Sequence, residues 1–117
     1  MVVDDEKDVR EMIRNHFELR GYEVITAGDG EEGIELAKTE KPRLVIMDVK
    51  MPKLDGDQML ERLHHILPNA QFIVFTAYQD KRIRERIESA GGCHAYYEKP
   101  VSILELQRKV EELLSTV

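Results

Sequence analysis

Two stretches of this chain, Leu44-Val45-Ile46-Met47 and Phe72-Ile73-Val74-Phe75, are apolar at every position. Side chains along a strand alternate between the two faces of a sheet, so a strand without a polar position is buried on both. Parallel sheets covered by helices on both sides have such strands. The remaining chain follows the same plan. Short apolar runs read as strands at Met1-Val2-Val3, Tyr22 to Ala27, Arg43 to Met47, Gln71 to Phe75 and His94 to Tyr97. Amphipathic stretches lie between them. Val9, Met12, Ile13, His16 and Phe17 recur at helical spacing, as do Ile34, Leu36 and Ala37, and then Met59, Leu60, Leu63, Ile66 and Leu67 before Pro68. A fourth helix is expected from about Gln79 to Ala90, stopped by Gly91-Gly92. A fifth is expected from Ser102, with Ser102 and Glu105 as a capping box, to Ser115. Five β-α units give an α/β fold, a (βα)5 doubly wound five-stranded parallel sheet. In such sheets ligands bind outside the carboxyl ends of the strands, where the strand order reverses.

The 117 residues suit one domain spanning 1–117. There is no low-complexity segment, linker or internal repeat. The single cysteine, Cys93, excludes an intramolecular disulfide and a multi-cysteine zinc site, and reads as a small buried hydrophobe. His16, His64, His65 and His94 lack zinc-ligand spacing. A net charge of −6 argues against autonomous nucleic-acid binding. No secretion signal and no apolar run of about 18 residues is visible, so no membrane association and a cytoplasmic location are expected.

The expected strand ends carry polar residues. Asp4-Asp5-Glu6 follows the first strand, Asp48 the third, Thr76-Ala77 the fourth and Lys99-Pro100 the fifth. Gathered at one rim, the carboxylates would need a compensating cation. Oxygen ligands suit Mg²⁺ (or Mn²⁺), which can neutralise a phosphoryl group in transfer. Asp48 could then act as nucleophile, Lys99 as a second positive charge, and Thr76 as a hydrogen-bond donor. Each residue also has a plainer reading. Asp4-Asp5-Glu6 could be the acidic first turn of a helix, Asp48 a loop aspartate, Thr76 an ordinary strand-end residue and Lys99 a solvated lysine. Their agreement at four strand ends favours a site.

Val2-Val3-Asp4-Asp5-Glu6, Leu44 through Gly56, Phe75-Thr76-Ala77 and Lys99-Pro100 together resemble the receiver domains of bacterial two-component response regulators, of the chemotaxis-regulator or sporulation-phosphorelay type. The resemblance covers nearly the whole chain and implies a flavodoxin-like fold. It also implies a phosphoacceptor that catalyses only its own phosphorylation and dephosphorylation. By this resemblance Asp48 is the phosphorylated aspartate. Asp5 is a direct metal ligand, Asp4 acts through water, and the Lys50 backbone carbonyl is a further ligand. Thr76 and Lys99 contact the phosphoryl group, and Tyr96 is the switch aromatic. A histidine kinase or histidine phosphotransfer protein is the implied donor. The fourth helix, fifth strand and fifth helix are the implied reporting face, toward an undefined downstream target. A monomer or a phosphorylation-dependent dimer would fit.

The first strand is shorter than is usual for that family. Lys50 and Tyr78 stand at positions expected to shield the acyl phosphate from water. Lys81, Arg82, Arg84 and Arg86 make the fourth helix basic, which suits an acidic partner or a solvated face interleaved with Asp80, Glu85 and Glu88. Two other functions compete. Gly28, Gly30 and Gly33 form a literal G-x-G-x-x-G of the dinucleotide-binding kind, although Asp29, Glu31 and Glu32 would repel a pyrophosphate. A phosphorylation-independent interaction module is the other. An aspartyl-phosphate phosphatase of the haloacid dehalogenase type would need D-x-D at the first strand end, where this chain has Asp4-Asp5-Glu6.

Overall fold

The computed structural model describes residues 1–49, 56–77 and 81–115. Five strands alternate with five helices: β1 (Val2–Val3), α1 (Lys7–Glu18), β2 (Thr26–Ala27), α2 (Gly30–Glu40), β3 (Leu44–Met47), α3 (Gly56–Ile66), β4 (Gln71–Thr76), α4 (Lys81–Ser89), β5 (Ala95–Glu98) and α5 (Ile103–Ser115). All strand pairs are parallel and their order is β2-β1-β3-β4-β5. The order reverses between β1 and β3, so the crevice available to a ligand opens above the ends of those two strands.

The apolar strands divide their side chains between two layers. Val45, Met47, Phe72 and Val74 face a core shared with Ile34, Ala37, Met59, Leu60, Leu63 and Ile87 of α2, α3 and α4. Leu44, Ile46, Ile73 and Phe75 face the other core, with Ile13 and Phe17 of α1 and Leu106 and Val110 of α5. This alternation is why β3 and the Phe72–Phe75 part of β4 have no polar position. Phe72 is fully buried, and Phe72→Ala would cost about 3–5 kcal/mol through the cavity it leaves.

The register also sets the site. The Ile46 N–H donates to the Met1 carbonyl and the Asp48 N–H to the Val3 carbonyl, so β1 and β3 end level with one another. Helix α4 stops where expected. Gly91 and Gly92 both take positive φ, and their N–H groups close the last turn onto Glu88 and Ile87.

Several expected details are corrected. Only Thr26–Ala27 of the run from Tyr22 pairs as β2, because its partner β1 is itself two residues long. Met12 is exposed rather than core-facing. Ile13 and Phe17, four residues apart, form the buried seam of α1, and Met12 lies about 100° away around the helix. β5 begins at Ala95, while His94 binds Phe72 just before it, with its N–H on the Phe72 carbonyl and its Nδ1 accepting the Phe72 N–H. Cys93 is half-buried, packed against the α2-α3-α4 core, and burial pushes its thiol upward. Ser102 immediately precedes α5, and its carbonyl accepts the Leu106 N–H. No described helix is long and apolar enough to cross a membrane.

Candidate functional site

β1 delivers Asp4 to the rim. Its backbone N–H donates to the Ala27 carbonyl, continuing the β1–β2 pairing by one residue, and its side chain turns inward and is fully buried. One carboxylate oxygen, Oδ1, accepts the Glu6 N–H at 2.8 Å. The other, Oδ2, accepts from the Lys99 ammonium at 2.9 Å. β3 delivers Asp48, which is also buried, and the same ammonium donates to Asp48 Oδ2 at 2.9 Å. Lys99 therefore bridges the ends of β1 and β3 from the far side of the sheet. It is placed there by its backbone N–H, which donates to the Thr76 carbonyl at 2.7 Å, and by the face of Phe75, whose ring centroid lies 4.8 Å from the ammonium.

Among the described residues, the carboxylates at this rim outnumber the cations beside them. Burial raises the Asp4 carboxyl above the ordinary carboxylate value, and the Glu6 N–H and Lys99 pull against it. Burial also acts to lower Lys99, but hydrogen bonds to Asp48 and Asp4 outweigh it and hold the ammonium above its ordinary value. Lys99 is one cation facing Asp4, Asp48 and, at 3.7 Å, the exposed Glu6. Carboxylate oxygens of Asp4, Asp5 and Glu6 lie within 4.8 Å of one another. This set of hard oxygens, partly buried and still net negative beside Lys99, fits a divalent cation such as Mg²⁺.

The other sequence-derived residues fall as follows. Asp5 is exposed at the lip of the rim. Thr76 ends β4 and is fully buried, opposite Glu98 in register. Ala77 is exposed beyond it. Tyr96 stands opposite Val74 on β5 and is half-buried. Lys50, Tyr78 and the Met51–Asp55 part of the motif lie outside the described residues.

Three arginines were not singled out for the places they take. Arg84 lies over the Tyr96 ring at 4.5 Å. Arg86 forms a two-pronged pair with Asp57 of α3, at 2.9 and 3.0 Å. Arg84 and Arg86 of α4 are thus engaged within the protein rather than presented on an open basic face. The third, Arg10, donates from Nη1 to the Asp4 carbonyl at 2.7 Å. No sequence signal marked it, since its partner is a backbone carbonyl that the fold brings near.

The glycine motif has a structural explanation. Asp29 caps α2, accepting the Glu32 N–H at 2.9 Å, and Glu32 accepts the Gly28 N–H at 3.3 Å. These carboxylates already occupy N–H groups that a pyrophosphate would use. At Gly33 an added Cβ would lie 3.3 Å from Val3 and 3.6 Å from Met59, so glycine lets α2 approach the sheet.

Comparison with known proteins agrees across the whole fold. The response regulator receiver domain family matches residues 1–111. The alkaline phosphatase synthesis transcriptional regulatory protein PhoP of Bacillus subtilis is 36% identical over 114 residues, covering 97% of this chain and 47% of that protein. The transcriptional regulatory protein PdtaR of Mycobacterium tuberculosis is 38% identical over 118 residues, covering 98% and 56%. The chain thus spans about half the length of these curated relatives. A CheY-like receiver domain from Methanospirillum hungatei superposes with a TM-score of 0.92 at 31% identity, covering 97% of this chain and 90% of that one. A Burkholderia pseudomallei response regulator, solved with a phosphorylated aspartic acid, calcium ion and citrate, shares the fold at a TM-score of 0.83 and 23% identity, covering 99% and 73%.

Proposed function

The chain belongs to the response regulator receiver domain family, and from that premise we propose that Asp48 is its phosphoacceptor, served by Asp4, Asp5, Thr76 and Lys99. A receiver domain is a phosphoacceptor rather than a classical enzyme, binds a divalent cation, and implies a histidine kinase as partner. In this reading residues 1–117 form one such domain, and the donor is the phosphohistidine of a kinase or phosphotransfer protein.

The observation that carries the assignment is the single ammonium held at 2.9 Å from both Asp4 and Asp48. An Asp48 carboxylate oxygen attacks phosphorus in line. The new P–O bond forms as the P–N bond breaks, and its electron pair leaves on the donor imidazole. Lys99, already beside Asp48, neutralises charge on a phosphoryl oxygen without reorganising. The Thr76 hydroxyl donates to another oxygen as it comes within reach. Asp4, Asp5, Asp48 and the Lys50 carbonyl would hold Mg²⁺ (or Mn²⁺), which when bound supplies further charge neutralisation. Phosphorylation would then bias Thr76 and Tyr96 toward a second arrangement and alter the face formed by α4, β5 and α5.

The test is incubation with Mg²⁺ and acetyl phosphate, or with beryllofluoride, read by intact mass or by NMR shifts. One adduct is expected on the wild type and none on Asp48→Ala. An adduct that survives Asp48→Ala would overturn the assignment.

A further inference from the structure

Gly28 needs no left-handed backbone, since its φ lies outside the positive range that favours glycine. Its lack of a side chain serves a neighbour instead. A Cβ built there would lie 3.2 Å from Nη1 of Arg10 and 3.5 Å from its Cζ. The guanidinium therefore lies against the Gly28 backbone at the end of β2, while Nη1 donates to the Asp4 carbonyl at the end of β1. Asp4 is fixed from the other side by its N–H on the Ala27 carbonyl at 3.1 Å. The held carbonyl belongs to the peptide that leads into Asp5, and the Arg10 N–H closes the turn onto the Glu6 carbonyl at 3.1 Å.

We propose that Arg10, seated on Gly28, is a positioning residue for the divalent-cation site. It locks the Asp4–Asp5 peptide so that the exposed Asp5 carboxylate stays beside that of Asp4. The inference rests on the cation-binding reading above and adds a residue outside the acidic set. It also gives the first glycine of the G-x-G-x-x-G run a role in this fold.

The sign of one measurement separates this role from simple electrostatics. A guanidinium near an acidic cluster repels an incoming dication. If Arg10 acted only through its charge, Arg10→Met would tighten Mg²⁺ binding. If it acts by holding the peptide, Arg10→Met weakens binding, by about tenfold, the lower end of what loss of a ligand-orienting partner costs. Gly28→Val displaces the guanidinium and leaves every charge in place, so it should weaken binding in the same direction.

The experiment is calorimetric titration of the full chain with Mg²⁺ alone, for wild type, Arg10→Met, Arg10→Lys and Gly28→Val, with circular dichroism to confirm folding. Weaker binding by Arg10→Met and Gly28→Val, with Arg10→Lys between them and wild type, supports the proposal. Mg²⁺ binding as tight as wild type, or tighter, in Arg10→Met or Gly28→Val overturns it and leaves the cation site standing. A wild type that binds no Mg²⁺ overturns the cation-site reading and this inference with it. Should Arg10→Met fail to fold, Gly28→Val and Arg10→Lys still decide the outcome.

Discussion

The chain carries two acidic turns at the same rim, each following a strand and each opening a helix. In Gly28 to Glu32 the carboxylates work locally. Asp29 caps the Glu32 N–H, Glu32 reaches back to the Gly28 N–H, and the helix dipole favours both charges. In Asp4-Asp5-Glu6 the side chain of Glu6, at the N-cap of α1, caps nothing. Asp4 spends one oxygen on the local Glu6 N–H and the other on Lys99, 95 residues away. The difference lies in what the neighbouring strands supply. The first turn leaves β1, flanked on one side by β3 with Asp48, and Lys99 reaches both carboxylates. The second leaves β2, at the edge of the sheet. Equal acidity in sequence becomes a helix cap at the edge and a charged site at the point where strand order reverses.

The sharpest way to break this contrast is to remove the lysine. Lys99→Met leaves Asp4 and Asp48 buried without their shared cation. Unpairing a buried charge costs about 3–5 kcal/mol, and the solvent access of this rim reduces that to about 2–3 kcal/mol in urea unfolding. Added Mg²⁺ should recover part of the loss.

A smaller effect of opposite sign is expected at Asp4. Its carboxyl is raised by burial, so the folded chain holds that proton more tightly than the unfolded chain does. Stability contributed by the protonated form therefore increases as pH falls toward and below the raised value, and is lost as pH rises through it. Asp4→Asn should stabilise the protein at neutral pH by about 1 kcal/mol, flatten that acid-side dependence, and weaken Mg²⁺ binding. A destabilised Asn variant in urea would show that the charge on Asp4 is favourable in the fold.

The edge turn should answer differently. Asp29→Ala removes a helix cap and should cost about 1 kcal/mol with Mg²⁺ affinity unchanged by calorimetry. Glu32→Ala, which loses only the longer 3.3 Å bond, should cost about 0.5 kcal/mol. A marked loss of Mg²⁺ binding in either variant would erase the distinction between the turns.

Much of the fold was legible because the signals were local and redundant. β3 and the Phe72–Phe75 part of β4 are apolar at every position, α4 ends in two glycines, and Ile34 and Ala37 of α2 recur at helical spacing. Legibility failed where pairing decided the outcome: β2 kept two residues because β1 offers two, and Met12 turned outward because Ile13 and Phe17 own the seam. At the rim, the polar residues could be picked out from their places after strands. Arg10 could not, since its partner is a backbone carbonyl and its seat is a missing side chain in the turn after β2.

By itself, then, the sequence determined the order of strands and helices, the two-sided burial of the sheet and the residue types at each strand end, because each follows from periodicity and turn chemistry within a few neighbours. Tertiary structure alone decided which acidic turn meets Lys99, that one ammonium lies 2.9 Å from both Asp4 and Asp48, and that Arg10 rests on Gly28. Those outcomes depend on strand order and register, which bring together residues far apart in the chain and leave no mark on the spacing of any one segment.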